Sequence, residues 1–66
     1  MFNKNLFKAK VIEKGLTLSD VAKQIDIDIA TLYRKMNGTS DFSRTEIQRI
    51  CSFLSLDDPM PIFFAQ

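Results

Sequence analysis

Histidine and tryptophan are absent from this sequence, and cysteine occurs once, at Cys51. A lone thiol forms no internal disulfide, and without histidine no Cys/His metal cluster can be assembled. No metal or other cofactor is expected. The start, "MFNKNLFKAKVIEKG", lacks the apolar run of a signal peptide. No stretch approaches the roughly 20 apolar residues of a membrane span. Repeats, low-complexity segments and linkers are missing too. These absences lead to the expectation of a soluble, cytoplasmic chain with no membrane partner.

With 66 residues the chain has room for one small domain, residues 1–66. Such a chain buries roughly 60% of the surface it exposes when unfolded. That leaves little for both a core and an enclosed catalytic cleft. Carboxylates are present, but there is no pocket-sized core to shift their pKa values, so no enzyme is expected. A partner subunit remains one route to added stability.

Net charge is +1, but its distribution is uneven. Residues 1–14 carry four Lys against one Glu. Residues 29–50 carry Arg34, Lys35, Arg44 and Arg49 against Asp41 and Glu46. Residues 15–28 set Lys23 against three Asp, and the tail adds Asp57 and Asp58. The basic charge is a local footprint.

Four helices are legible from caps and periodicity. The first runs from about Asn3 or Asn5 to Lys14, with Phe7 and Val11 on one face, Leu6 and Ile12 beside them, and Gly15 as its stop. The second opens on "TLSD" (Thr17 to Asp20), a capping box with Asp in place of Glu or Gln, and turns Val21, Ala22 and Ile25 to the core. The third follows Asp28 as N-cap; Ile29, Leu32 and Met36 are spaced i, i+3, i+7, and Asn37-Gly38 ends it. The fourth opens on the capping box "SRTE" and carries a core stripe of Ile47, Ile50, Cys51 and Leu54. Phe42 is placed for a staple against Ile47 or a neighbour. Cys51 in that stripe reads as a buried structural thiol. The tail, residues 58–66, starts on Asp58-Pro59 as a short helix or ordered turn, because Pro61 biases Met60 away from the helical region.

Between the second and third helices, "IDIDI" alternates like a strand. A strand would need a partner, and no second alternating run exists. The alternative is a tight corner: Ile25 ends one apolar face, Asp26 turns, Ile27 points back to the core and Asp28 caps the next helix.

"LTLSDVAKQIDIDIATLYRKMNG" (Leu16 to Gly38) resembles the helix-turn-helix of the phage repressor/Cro-like family of xenobiotic-response-element-type regulators. Leu16, Thr17, Val21, Ala22, Ile25, Ile27, Thr31, Leu32, Arg34, Asn37 and Gly38 fall in the family's register without a gap. The similarity runs to Leu56, and "IFF" resembles a small phage-encoded Cro-like subgroup. The resemblance implies an all-α, lambda-repressor-like domain of four to five helices, with the helix-turn-helix proper at about 17–37. It departs from the family at Asp26, where glycine is usual, at Leu18, where a polar residue is usual, and at Asp28, where serine is usual.

The resemblance implies a third helix that enters the major groove of double-stranded DNA. With Leu32 and Met36 inward, Ala30 and Arg34 face outward, flanked by Thr31 and Tyr33, with Ile29 at the border. Arg34 can reach guanine O6 and N7; Ile29 and Ala30 can pack on a thymine methyl; Tyr33 can contact a base or a phosphate. The plain reading of Arg34 and Tyr33 is a solvated face. Thr31, Lys35, Asn37, Thr39, Ser40 and Arg44 suit phosphate, as does the backbone N–H of Leu18, though an ordinary polar loop is the other reading. Asp28 puts a negative charge beside the DNA unless it accepts from a cytosine amino group. Ile62, Phe63 and Phe64 are too apolar to trail in water. They either close the core against the first helix or pair two subunits, with Phe64 the better interface candidate. The expected function is a Cro-like repressor binding a palindromic operator as a weak homodimer, formed on DNA, with no small-molecule ligand. The competing class is a protein-interaction module on the same fold, an antitoxin or antirepressor partner.

Overall fold

The ends of the first four helices are set by local chemistry, and both kinds of end recur. The computed structural model describes residues 1–65, and residue 66, the last of the expected tail, lies outside the described residues. The helices are α1 (Lys4–Glu13), α2 (Leu18–Gln24), α3 (Ile29–Met36), α4 (Arg44–Phe53) and α5 (Met60–Phe63). No strand occurs among the described residues, so the expected all-α fold is borne out and "IDIDI" is a turn.

Each N-terminus is held by its own cap. Asn3 Oδ1 accepts from the Leu6 N–H at 3.0 Å, and Asp28 Oδ1 from the Thr31 N–H at 2.7 Å. Thr17 and Asp20 satisfy each other's amides at 2.8 and 3.2 Å, and Ser43 and Glu46 do so at 2.8 and 3.1 Å. Caps of this kind are worth about 0.5–2 kcal/mol each.

The C-termini share one closure. One N–H reaches back five residues and the N–H before it reaches back into the same turn, around a residue with positive φ. At the end of α2, Ile27 donates to the Ala22 carbonyl at 3.0 Å and Asp26 to the Lys23 carbonyl at 3.2 Å. The pairs Leu16–Val11, Thr39–Arg34 and Leu56–Cys51 repeat the longer bond at 2.8 to 3.0 Å. The turning residues are Gly15 (φ 72°), Asp26 (φ 61°), Gly38 (φ 85°) and Ser55 (φ 54°). Glycine adopts that conformation freely, whereas Asp26 and Ser55 do so at a steric cost. After α1, α2 and α4 the next residue is Leu16, Ile27 or Leu56, each packed against the core. The closure therefore both satisfies the carbonyls and returns an apolar side chain inward.

The core draws on all five helices: Phe7 and Val11, Val21, Ala22 and Ile25, Leu32 and Met36, Ile50 and Leu54, Ile62 and Phe63. α2 packs on α3 and α4, while α1 packs on α5. The expected stripe of α4 is only partly interior. Ile50 and Leu54 are fully buried, but Ile47 and Cys51 lie at the core's edge. Ile12, expected beside the apolar face of α1, is 73% exposed.

The tail takes the short-helix form of the two expected, with Met60 helical despite Pro61. Met60 opens α5 with Pro61 in its first turn, where a missing N–H leaves no acceptor unpaired. Asp58 Oδ1 accepts the Met60 N–H at 3.0 Å and stabilises this start. Ile62 and Phe63, raised as interface candidates, are buried within the chain itself. Phe2 accounts for this. Its ring lies 5.3, 5.0 and 5.4 Å from those of Phe7, Phe42 and Phe63, and Phe42 meets Phe63 edge-on at 5.3 Å. The Asn3 N–H donates to the Ile62 carbonyl at 2.6 Å, locking the N-terminal segment onto α5. Phe64 stays outside, 49% exposed.

Asp26→Gly relieves the left-handed strain of about 1–2 kcal/mol, less the extra chain entropy glycine loses on folding. The expected net effect is a stabilisation of roughly 0.5–1 kcal/mol, read as a rise of a few degrees in thermal unfolding. An unchanged or lower melting temperature would show that the Asp26 side chain stabilises the turn.

Candidate nucleic-acid interface

α3 leaves the Asp26 turn with its phase already set. Leu32 and Met36 fill the core, so the residues between them must face away from it. Ala30 and Arg34 are exposed, Ile29 is 37% exposed and Tyr33 44% exposed. These four form one continuous outward face, as the spacing predicts. It combines a five-donor guanidinium, a phenol and two apolar groups. Such a set matches base edges and thymine methyls in a groove.

Thr31, on the flank, is half-buried and internally bonded. Its N–H donates to the capping Asp28 carboxylate, and its Oγ1 accepts from Arg34 Nη2 at 3.0 Å. The Thr31 hydroxyl, and then its N–H, hold the Asp28 carboxyl below the usual range, with the Arg34 charge adding to the effect. Asp28, Thr31 and Arg34 thus form one hydrogen-bonded row along the start of α3. Their i, i+3, i+6 spacing is the sequence signal for it.

Lys35, expected at a phosphate, is engaged within the protein. Its ammonium donates to the Asp41 carbonyl at 2.9 Å and pairs with Glu46 at 3.1 Å. It also lies 6.0 Å from the centre of the Phe42 ring, and its side chain is 14% exposed. The charge ties α3 to the start of α4. Partial burial pushes the Glu46 carboxyl up, but the Ser43 amide and Lys35 outweigh it and hold it below its ordinary value.

Asn37 is exposed and caps α3, with its Oδ1 accepting from Lys4 Nζ at 3.0 Å. This brings a lysine of α1 to the end of the α3 face. Nothing in the sequence signals it, because the two residues lie far apart in the chain. Thr39 and Ser40 are exposed, and their N–H groups turn back to the Arg34 carbonyl at 2.9 and 3.4 Å. Their hydroxyls are therefore the groups that face solvent. Arg44 is exposed at the first position of α4. The Leu18 side chain packs against the core, which leaves its backbone N–H at the first position of α2 as the only polar group it can offer.

The charges gathered along α3 have both signs: Lys4, bonded to Asn37, and Arg34 against the Asp28 carboxylate. The Thr17 N–H, and then its hydroxyl, hold the Asp20 carboxyl below its usual range. Cys51 lies away from this face on α4. Burial, and then the Asp58 charge, push its thiol up, so it stays a protonated structural group at neutral pH.

A family model, Cro/C1-type HTH DNA-binding domain, matches residues 8–59. No curated protein and no solved structure matches the chain. The matched range begins within α1, covers α2 to α4 and ends just before α5.

Asp20, Asp28 and Glu46 are all capping carboxylates with lowered pKa values. A lowered folded-state pKa contributes stability above the unfolded value, about 4, and loses it as pH falls through the folded value. The melting temperature should therefore hold from pH 7 to about 5 and fall below about pH 4. Asp28→Asn, which still caps, should flatten that acid limb while changing stability at pH 7 little. Parallel limbs for wild type and variant would remove Asp28 from the account.

Proposed function

Because the chain belongs to the Cro/C1-type helix-turn-helix DNA-binding domain family, we propose that it is a Cro-like repressor of phage or prophage origin. In this reading it binds a partly palindromic operator through the major groove and blocks polymerase. The observation that carries the reading is the outward face of α3, with Ile29, Ala30, Tyr33 and Arg34 presented together. Arg34 donates two hydrogen bonds to guanine O6 and N7, Ile29 and Ala30 take a thymine methyl, and Tyr33 takes a base or a phosphate. Thr39, Ser40, Arg44, Asn37 and the Leu18 N–H contact phosphates and set the register. Lys4 joins this set through its place beside Asn37.

A recognition helix of eight residues reaches few base pairs. Operator affinity then requires two half-sites about one helical turn apart, and so two copies of the chain. Phe64 is the part of the apolar tail left for that contact. It borders an open groove of about 510 Å³ whose floor includes Phe2, Phe42 and Phe63. The pair is weak and forms on DNA.

The net charge of +1 and the carboxylate of Asp28 favour the second reading, a protein-interaction module on the same fold. One experiment separates the two. Purified protein is used to select from a pool of random duplexes. Enrichment of a symmetric site supports the repressor; failure to enrich any site supports the interaction module. On the enriched duplex, Arg34→Ala should weaken binding by about 1–3 kcal/mol and relax preference at one base pair of each half-site. Unchanged preference at every position removes Arg34 from base reading.

Phe64→Ala tests the pair. It should lower affinity for the enriched duplex and the cooperativity of binding more than it lowers the melting temperature, as fits a half-exposed ring. A large loss of melting temperature with binding still non-cooperative would place Phe64 in the core and the subunit contact elsewhere.

A further inference from the structure

We propose that Thr31 is a positioning residue for Arg34, its hydroxyl holding the guanidinium on the outward face of α3 so that it meets a guanine edge already oriented. The inference rests on the reading of Arg34 as a base-reading side chain. It replaces the expectation that Thr31 contacts a phosphate.

The direction of the hydrogen bonds carries the argument. Arg34 Nη2 donates to Thr31 Oγ1 at 3.0 Å. The Thr31 N–H donates to Asp28 Oδ1 at 2.7 Å. The Thr31 oxygen is thus the acceptor for the guanidinium, while its backbone N–H is held by the carboxylate at the N-cap. The row therefore runs one way, from Arg34 through Thr31 to Asp28.

The mechanical consequence follows from side-chain stiffness. Arginine is rich in rotamers, and ordering it at an interface is a cost of binding. Threonine is branched at Cβ and stiff at χ1, and here its N–H is fixed by the Asp28 cap. Its oxygen is a fixed post. Tethering one hydrogen of Nη2 still leaves four of the five guanidinium N–H donors, and guanine requires two. The tether thus orients Arg34 without using up its reading capacity. It also places Asp28, a residue otherwise unfavourable beside DNA, at the far end of the row.

The test uses two probes, the duplex that wild-type protein selects most strongly and a random-sequence duplex of equal length. Thr31→Val removes the hydroxyl and keeps shape, branching and the capping N–H. It should weaken binding to the selected duplex about two- to tenfold, the size of one hydrogen bond. Binding to the random duplex should not change, and preference should relax at the same base pair that Arg34→Ala relaxes. Thr31→Ser should restore both. In an Arg34→Ala background Thr31→Val should have no further effect. Thr31→Ala gives the same comparison if valine disturbs the turn.

Equal weakening on both duplexes would make Thr31 a phosphate contact and overturn the proposal. So would an unaltered effect in the Arg34→Ala background, or full binding by both hydroxyl-free variants. If Arg34→Ala itself leaves base preference unchanged, the reading of Arg34 has failed instead. Nitrogen-15 relaxation of the Arg34 Nε–H in free protein then decides the tether separately, since it should show a more ordered side chain in wild type than in Thr31→Val.

Discussion

The hydrogen bond from the Ile27 N–H to the Ala22 carbonyl, 3.0 Å long, is the constraint on which the α3 face depends. It closes α2 around a left-handed Asp26 and returns Ile27 to the core. Asp28 then caps α3 at once, with no slack between. A helix rotates about 100° per residue, so one residue more or less here would turn α3 by that amount. Leu32 and Met36 would leave the core, and Arg34 and Ala30 would enter it. The face that the proposed function uses is therefore a consequence of backbone closure two residues before its first member.

What could be read from the sequence was mostly what is decided locally. Asn3, Thr17, Asp28 and Ser43 each satisfy an amide three residues on, so their neighbours already reveal them. Gly15 and Gly38 were legible as stops because glycine accepts positive φ freely. Asp26 was legible once a corner was recognised. Ser55 was not, because serine has no special taste for that conformation, and only the packing of Leu56 imposes it. The outward set on α3 followed from period alone. The fates of Phe63 and Lys35 did not. Phe63 is buried by Phe2, at the other end of the chain, and Lys35 is held by Glu46 on another helix. Periodicity within one helix carries no information about either partner.

Charge makes the candidate face more selective than adhesive under the proposed reading. Non-specific DNA affinity comes from cations that release counterions from phosphate. Lys35 is withdrawn from that pool by its pairing with Glu46 and the Asp41 carbonyl. The Asp28 carboxyl is held below its usual range because its cap favours the charged form. Lys4 and Arg44 are then the cations left to hold the chain on an arbitrary duplex. A face of this kind depends on base-edge hydrogen bonds and on a second copy for its affinity.

A domain of this size cannot assign fold and recognition to separate residues. Asp28 shows the consequence. As an N-cap it stabilises α3 by a hydrogen bond to Thr31, and its charge suits the positive end of the helix. Beside a phosphate backbone the same charge is unfavourable. Serine would cap nearly as well without it, so capping alone does not account for a carboxylate here. The carboxylate also attracts the Arg34 guanidinium, which bonds to Thr31 Oγ1 one turn along the same row. Under the proposed reading the negative charge then serves the side chain that meets the base, and the departure from the family's usual serine and the geometry of Arg34 become one feature.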